Sequence, residues 1–338
     1  MPIGGFATPQ GTAAFAHAAS QTPGFFRDAQ GLTLSCIGVG TYLGDPTPEA
    51  DRAYTAAIRR AMELGVNVLD SAINYRMQRS ERSIAAAIGA ESKALALDGA
   101  EVNRESIFVA TKAGFLTPDG AMPADPRRYF QEEYFARGVM RHEDIAAGMH
   151  CMAPGYLADQ LERSRRNLNL ETIDLFYLHN PETQLSEIDY GEFGTRLRAA
   201  FEFLEEQVAA NKIRWYGAAT WNGFRHPPGA ADHLPLEAMV ALARQTAGDG
   251  HHFRFVQLPH NMAMPEASIA ATQTLNGEAC TLLEAAAGYG ISVMTSASLM
   301  QARLPDLRQA LAYAVSTPGV TTALVGMGKV EHVEANLI

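Results

Sequence analysis

The sequence predicts a single (β/α)₈ barrel, and three observations favour this fold class. Short apolar runs rich in β-branched residues recur along the chain, and each is followed by a helical segment. The runs are continuous rather than alternating, as in parallel strands that are covered on both faces. There are eight of them, which favours a closed barrel over an open doubly wound sheet, although six alternating units would suit the open sheet as well.

The eight predicted strands are residues 34–40, 66–70, 106–112, 172–179, 212–220, 253–258, 291–296 and 320–326. Apolar residues at helical spacing predict helices over 48–65, 156–170, 201–212, 237–245 and 282–290. The first helix is expected to stop at Gly65, because glycine is preferred just past a helix end. The stretch GVGTYLG lacks the spacing of a dinucleotide fingerprint and no helix follows it directly, so it predicts turn glycines at a strand end.

The remaining segments are expected to decorate the barrel within one domain of residues 1–338. Residues 1–31 are predicted to form an N-terminal extension or hairpin. Three inserts leave the C-terminal ends of strands, where barrel enzymes hold their active sites: 116–152, 221–234 and 259–277. The first insert, expected to lie over the active face, has four aromatic residues, Tyr129, Phe130, Tyr134 and Phe135. These predict either the walls of a substrate pocket or a packed lid with its own small core.

Composition limits the partners of the chain. Its formal net charge of −10 and pI near 5.5 argue against nucleic acid or an anionic membrane as the main partner. No segment approaches the roughly twenty apolar residues of a membrane span, and the N-terminus lacks the cationic region of a secretory signal. We therefore expect a cytoplasmic protein with reduced Cys36, Cys151 and Cys280, and no metal site, because their spacing matches no metal motif.

Four polar residues follow consecutive predicted strands at the end where barrel chemistry lies. Asp70 ends the second strand and Tyr75 follows it, while Lys112 ends the third strand and His179 ends the fourth. Each alone has a structural explanation: a turn cap, a packed loop aromatic, a solvated strand end and a core histidine. Chance explains all four on three consecutive strands poorly. We therefore predict a catalytic carboxylate, phenol, ammonium and imidazole at one mouth of the barrel.

These four groups suit the reduction of a carbonyl. A free phenol has a pKa near 10, and a neighbouring ammonium is expected to lower the pKa of Tyr75 and make it a usable acid. Asp70 is expected to pair with Lys112, because a buried ammonium without a partner is costly. His179 is expected to donate a hydrogen bond to the substrate carbonyl. The set supplies a proton but no electron pair, so a hydride donor must come from outside.

The residues around this set resemble the aldo-keto reductase superfamily. The matching segments are LDSAINYRMQRSE, FVATKAG and IDLFYLHNP, and the likeness extends from about residue 32 to the last residue. The resemblance implies a (β/α)₈ barrel and an oxidoreductase that uses a nicotinamide cofactor without a Rossmann fold. It implies an NAD(P)H-dependent carbonyl reductase or alcohol dehydrogenase for an aldehyde or sugar-like substrate, with Tyr75 as the general acid.

The resemblance also implies where the cofactor binds. Gln257 matches the glutamine that bonds the nicotinamide carboxamide, and VGMGKVEHVEANL matches the segment that binds pyrophosphate and adenosine. Lys329 in that segment would meet a ribose phosphate, which favours NADP over NAD, although NAD stays possible. The full predicted cofactor-binding set is Thr41, Tyr42, Asp70, Thr220, Gln257, Ser296, Leu299, Gly326, Gly328, Lys329, His332 and Asn336.

Several positions depart from the family pattern. Ala219 and Thr220 stand where a serine and an asparagine are usual, and Ser296 replaces the tyrosine that stacks on the nicotinamide. His332 and Ala335 replace a glutamine and a glutamate near the adenine. Weaker or differently oriented cofactor binding is therefore expected. The sequence ends at Ile338, inside the final predicted helix and short of the family's C-terminal loop, and whether this end is native stays open.

Two other functions stay open at this point. The altered nicotinamide contacts at Ala219 and Ser296 motivate a second hypothesis, a cofactor-binding sensor or partner-binding protein with little catalysis. An aldolase with Lys112 as a Schiff-base lysine ranks last, because pairing with Asp70 would keep that amine protonated and poorly nucleophilic. The sequence leaves the substrate, the physiological direction and the oligomeric state undecided.

Overall fold

A closed barrel of eight parallel strands forms the centre of the computed structural model, which describes residues 1–19, 21–89, 96–97 and 100–338. The barrel strands are β1 (Ile37–Gly40), β2 (Val68–Asp70), β3 (Phe108–Ala113), β4 (Ile173–His179), β5 (Ile213–Ala219), β6 (Phe253–Pro259), β7 (Ser292–Ser296) and β8 (Val320–Gly326). They follow one another in chain order, and β8 pairs with β1 to close the sheet. The predicted (β/α)₈ barrel is confirmed, whereas the assignment of the whole chain to one domain stays a prediction.

One helix follows each barrel strand: α1 (Pro48–Glu63), α2 (Arg79–Ile88), α3 (Pro154–Leu168), α4 (Tyr190–Ala209), α5 (Leu236–Ala247), α6 (Leu282–Tyr289), α7 (Leu307–Ser316) and α8 (Val330–Leu337). In α1 the Thr47 hydroxyl accepts a hydrogen bond from the Ala50 amide, and Pro48 takes the first position. Gly65, with φ of +90°, follows the last turn as predicted. The helix predicted from residue 201 begins at Tyr190, because the glycines and charged residues of its first turns hide the helical spacing.

A hairpin covers the N-terminal end of the barrel. Its strands, Phe26–Ala29 and Leu32–Ser35, pair antiparallel. Leu32 and Leu34 pack in one buried cluster with Phe108 of β3. The single strand predicted over 34–40 is therefore wrong. The hairpin takes residues up to Ser35, and the chain turns at Cys36, whose amide donates to the Phe25 carbonyl at 2.7 Å, before it enters β1.

The three inserts leave the C-terminal ends of β3, β5 and β6. The first contains helices Pro126–Phe130, Gln131–Phe135 and His142–Asp144 and pairs Ile145–Ala146 with His150–Cys151. The third contains Glu266–Ile269 and a hairpin of Gln273–Leu275 with Glu278–Cys280. In the part of the chain that the structure describes, no helix is both long and apolar enough to cross a membrane.

The aromatic residues of the first insert support the packed-lid interpretation. Tyr134 is fully buried, and its hydroxyl donates to the Thr117 carbonyl at 2.9 Å. Its ring packs against Phe130 and against Tyr156 of α3, with centroids 6.0 and 5.7 Å away. Because this hydroxyl and ring are already engaged, Tyr134 anchors the insert to the barrel helices rather than lining a pocket.

Candidate active site

A buried ion pair joins the C-terminal ends of β2 and β3. The Lys112 Nζ donates to Asp70 Oδ1 at 2.6 Å and to the Ser71 carbonyl at 2.7 Å. Lys112 is fully buried and Asp70 is 3% exposed. Burial raises the pKa of Asp70 and lowers the pKa of Lys112, and the attraction between the two charges opposes both shifts. The pairing expected from the sequence is present.

Tyr75 lies over this ion pair, with the Lys112 Nζ 5.0 Å from the centroid of its ring. No group in the described ranges hydrogen-bonds the Tyr75 hydroxyl. Burial raises the pKa of Tyr75 well above its ordinary value of 10.0, and the nearby Asp70 carboxylate adds to this rise. The prediction that Lys112 lowers this pKa is wrong, because the ammonium faces the ring and is paired with Asp70. Tyr75 therefore keeps its proton at neutral pH.

The loop after Tyr75 holds the phenol at the mouth of the barrel. Three consecutive residues that are not glycine have positive φ: Arg76, Met77 and Gln78, at 49°, 55° and 71°. Such a backbone is strained and persists only where other contacts fix it. Asp51 of α1 supplies such contacts, since its carboxylate accepts hydrogen bonds from the guanidinium groups of Arg76 and Arg79.

His179 ends β4 and lies beside the phenol. Its ring contacts Tyr75 edge to face at 5.7 Å and Phe115 at 5.2 Å. Burial lowers the pKa of His179 well below its ordinary value of 6.5, and the positive charge of Lys112 adds to this decrease. The imidazole is therefore neutral and keeps one N–H to donate. Its Nδ1 is buried and has no hydrogen-bond partner in the described residues.

His150, from the first insert, supports His179 and was missed from the sequence. Its Nε2 donates to the His179 carbonyl at 2.8 Å, and its Nδ1 accepts from the Gln184 amide at 2.8 Å. Burial lowers the pKa of His150 to about 4, so it is neutral. Gly114 leaves the space: a Cβ there would lie 2.4 Å from the His179 carbonyl oxygen and 2.8 Å from the His150 Nε2. That glycine, two residues after Lys112, was the available signal.

Three of the predicted cofactor residues directly contact Asp70 or Tyr75 of the predicted catalytic set. Gln257 of β6 donates from its amide to Asp70 Oδ2 at 2.9 Å. Thr41, just after β1, has its hydroxyl 3.0 Å from the Asp70 carbonyl oxygen. Tyr42 is largely exposed and packs its ring on Tyr75 at 5.0 Å. Asp70 thus contacts Lys112 of the predicted catalytic set as well as Thr41 and Gln257 of the predicted cofactor-binding set.

Thr220 follows β5 and lies next to Gln257, whose carbonyl accepts the Thr220 amide at 2.8 Å. Its hydroxyl is buried and has no partner within the described residues. A buried hydroxyl without a hydrogen bond is costly, so a polar ligand group is expected to complete it. The neighbouring Ala219 has no side-chain polar group to share that role.

The other predicted cofactor residues lie at the ends of β7 and β8 and on α8. Ser296 ends β7 and Leu299 follows it, while Gly326 ends β8. Gly328 lies against Tyr54, where a Cβ would be 3.0 Å from the ring. Lys329, before α8, provides no side-chain cap, so the first amides of that helix are open to an anion. His332 and Asn336 lie on α8, and the Asn336 amide donates to the His332 carbonyl at 2.8 Å.

Comparison with known protein families identifies the family of this chain. The model of the aldo/keto reductase family matches residues 36–226, which is more than half of the 338 residues. The chain belongs to the aldo/keto reductase family. It is therefore an oxidoreductase of the NAD(P)-dependent kind, as predicted.

Other relatives cover nearly the whole aldo/keto reductase chain at low identity. The uncharacterised oxidoreductase YqkF of Bacillus subtilis (strain 168) is 22% identical over 92% of this chain and 87% of its own. An aldo/keto reductase from Klebsiella pneumoniae, solved with NADP and acetate, is 20% identical, covers 94% and 89% of the two chains and has a TM-score of 0.59. A glycerol dehydrogenase from Gluconobacter oxydans is 17% identical, covers 94% and 91% and has a TM-score of 0.62.

The residues of this aldo/keto reductase fit a nicotinamide cofactor. The orphaned hydroxyl of Thr220, whose backbone amide donates to the Gln257 carbonyl, suits a carboxamide, which both donates and accepts hydrogen bonds. The exposed Gly326 and the uncapped start of α8 suit a pyrophosphate. No group of three or more metal-ligating side chains occurs in the described part of the chain.

Proposed function

We propose that the chain reduces a small carbonyl compound with NADPH and oxidises the corresponding alcohol in reverse, with Tyr75 donating and accepting the proton. The observation that supports this most strongly is the cluster of Asp70, Lys112, Tyr75 and His179 at one barrel mouth. The Lys112–Asp70 contact is 2.6 Å, the Lys112 Nζ lies 5.0 Å from the centroid of the Tyr75 ring, and the Tyr75 and His179 rings are 5.7 Å apart. These three contacts link all four groups.

Gln257 and Thr220 would hold the carboxamide, and Gly326, Gly328 and the amides of α8 would hold the phosphates. Lys329 is exposed beside them and would pair with the extra phosphate that distinguishes NADP from NAD. The NADP bound to the Klebsiella pneumoniae enzyme of similar fold supports this choice. The bound nicotinamide supplies the hydride in reduction and takes it in oxidation.

Tyr75 is protonated at neutral pH because burial raises its pKa. It would give that proton to the substrate oxygen as negative charge develops there. The transfer leaves a phenolate on Tyr75. Neutral His179 would donate a hydrogen bond to the same oxygen without competing for its proton. Solvent returns the proton to Tyr75 after the alcohol leaves.

Tyr75→Phe tests this proposal. We expect kcat for reduction of simple aldehydes to fall about 10²- to 10⁴-fold, the usual contribution of a general acid. The Kd of NADPH, measured by protein fluorescence, should stay within about twofold, since the phenyl ring remains. Tyr313→Phe on α7 is the matched control, because it loses a hydroxyl from a ring that stacks on His260 rather than on any of the four groups.

Normal turnover by Tyr75→Phe would refute the acid assignment. The cofactor-sensing alternative would instead be favoured if the wild-type protein binds NADPH tightly but does not oxidise it when any aldehyde, ketone or sugar is supplied. The altered contacts at Ala219 and Ser296 make that alternative worth testing in the same experiment.

A further inference from the structure

Tyr54 of α1 contacts both the turn after β8 and the loop after the acid, and the proposed mechanism gives it no role. It is 3% exposed, and its hydroxyl donates to the Leu43 carbonyl at 2.8 Å. A buried tyrosine usually pairs its hydroxyl in this way. The ring itself joins two segments that the proposed function uses separately.

The first segment is residues 326–329, which we call the phosphate turn because the cofactor phosphates are proposed to bind there. The φ of Gly328 lies outside the left-handed region, so its backbone conformation does not require a glycine. The Tyr54 ring requires it, because a Cβ on Gly328 would lie 3.0 Å from the ring carbon Cζ and 3.1 Å from Cε2. A Cβ on Gly326 would lie 3.0 Å from the side chain of Leu43. The turn therefore packs directly on Tyr54 and on the residue that Tyr54 hydrogen-bonds.

The second segment is the strained loop that follows the acid. The guanidinium carbon of Arg76 lies 4.9 Å from the centroid of the Tyr54 ring, within reach of a cation–π interaction. Arg76 is 6% exposed, and it donates to the Asp45 carbonyl at 3.2 Å and to the Asp51 carboxylate. Its φ of +49° persists only where such contacts fix it. Because Arg76 follows Tyr75 directly, these contacts fix the backbone that carries the phenol.

Tyr54 also reaches the acid by a second route. Its hydroxyl anchors the loop after β1 at Leu43, and the preceding residue of that loop, Tyr42, packs its ring 5.0 Å from the Tyr75 ring. The Tyr54 ring thus holds Arg76, and its hydroxyl holds the segment that carries Tyr42. Both neighbours of the phenol depend on one side chain, which in turn lies against the phosphate turn.

We propose that Tyr54 is a positioning residue that couples occupation of the phosphate turn to the orientation of Tyr75. An anionic group bound at the turn fixes the backbone against which the Tyr54 ring packs. The ring then limits the movement of Arg76, and its hydroxyl limits the movement of Tyr42. The proposal rests on the carbonyl reduction proposed above and adds regulation to that same site: the acid is placed for reaction when phosphate occupies the turn.

The probe for this link is adenosine 2′,5′-bisphosphate, which carries phosphates of the adenosine half of NADP and has no nicotinamide to contact the phenol. Hydrogen exchange of the amides of residues 76–79, read by mass spectrometry, is compared without the probe and at saturation. We expect the probe to slow this exchange about fivefold in the wild type, the low end of coupling between sites. In Tyr54→Leu the slowing should disappear, while the Kd of the probe, measured by calorimetry, rises no more than about fivefold because coupling is reciprocal.

Variants of Arg76 test the link from its other end. Arg76→Met removes the cation from the Tyr54 ring and should abolish the slowing, whereas Arg76→Lys keeps a cation and should retain most of it. Tyr216→Leu is the matched control, because it also removes a fully buried tyrosine, one that packs on Phe253 and donates to Glu205 at 3.0 Å. This control should lose stability and keep the full slowing.

Turnover gives a second readout. Tyr54→Leu should lower kcat for the reduction of butanal by NADPH about fivefold and leave KM for butanal unchanged, since the acid is displaced while the aldehyde site is intact. A rise in KM with unchanged kcat would contradict a positioning role, because that pattern reports lost ground-state binding.

Exchange that does not respond to the probe in the wild type would overturn the link, whether or not any variant folds. Equal loss of the slowing in Tyr54→Leu and Tyr216→Leu would also overturn it, because general destabilisation would then explain the effect. Slowing that only Tyr54→Leu removes supports the link even if the protein reduces no carbonyl. A wild type that reduces butanal without any slowing refutes the link alone and leaves the proposed function intact.

Discussion

Replacing Asp70 by asparagine should strongly destabilise the fold, because it removes the carboxylate that forms the ion pair with Lys112. Lys112 is fully buried, and the lost contact is 2.6 Å long. The Ser71 carbonyl at 2.7 Å remains as an acceptor, but it carries no charge. Removing one partner of a buried ion pair costs about 3–5 kcal/mol. We expect a loss of that size in the free energy of unfolding at pH 7.

The loss should shrink as the pH rises. Burial already lowers the pKa of Lys112, and Asp70→Asn removes the main group that opposes this shift. In the unfolded chain the pKa of a lysine is near 10.4. Because the pKa of Lys112 is lower than this in the folded protein, it contributes stability that is fully present above about pH 10.4 and is lost as the pH falls through the folded-state pKa. The variant should therefore recover part of its deficit, relative to the wild type, between pH 7 and about pH 10, where Lys112 becomes neutral.

Urea unfolding followed by tryptophan fluorescence at pH 7 and about pH 9.5 measures both effects. Asp119→Asn is the matched control, because Asp119 pairs with Arg82 at the surface with 48% and 43% of the side chains exposed. That variant should lose less than about 1 kcal/mol at either pH. An Asp70→Asn deficit no larger than the control's, or one that grows with pH, would refute the reasoning.

Two further substitutions test neighbouring groups. Thr220→Val should leave urea stability unchanged or slightly higher, because it removes an unpaired buried hydroxyl, while the Kd of NADPH rises about three- to tenfold; an unchanged Kd in a fluorescence titration would remove Thr220 from the cofactor site. His150 has a folded pKa of about 4 against an ordinary 6.5, so it contributes stability that is present above pH 6.5 and lost as pH falls through 4, worth about 3 kcal/mol. His150→Gln should lack this pH dependence. If the free energy of unfolding fell by the same amount in the wild type and the variant between pH 6.5 and about 4, the prediction would be contradicted.

The barrel could be predicted because its signal is local. Each strand is a continuous apolar run, and parallel strands in chain order bring their C-terminal residues to one rim. The spacing of Asp70, Lys112 and His179 along the chain was therefore enough to place them together. The hairpin boundary at Cys36 was not predictable, because residues 34–40 form one apolar run and only packing against the barrel interior divides it.

The parts of the site that were missed depend on contacts without periodicity. His150 reaches His179 through an insert whose path is set by Tyr134, Tyr156 and Gly114 rather than by any repeating pattern. The pKa of Tyr75 also depends on how its buried hydroxyl and ring are oriented toward Asp70 and Lys112. Strand order does not specify that orientation. Sequence reasoning thus found the groups but not their electrostatic balance.

The hydrogen bond from His150 to the His179 carbonyl limits how this enzyme can be re-engineered by exchanging segments. A chimera that takes residues 116–152 from another relative would leave the backbone of a catalytic strand without its donor unless the graft carries a histidine at the same place. Gly114 and Gln184 lie outside the exchanged segment and must be retained in the recipient. Gly114, His150 and Gln184 must therefore be exchanged or retained together with His179, even though the four residues lie on three separate stretches of the chain.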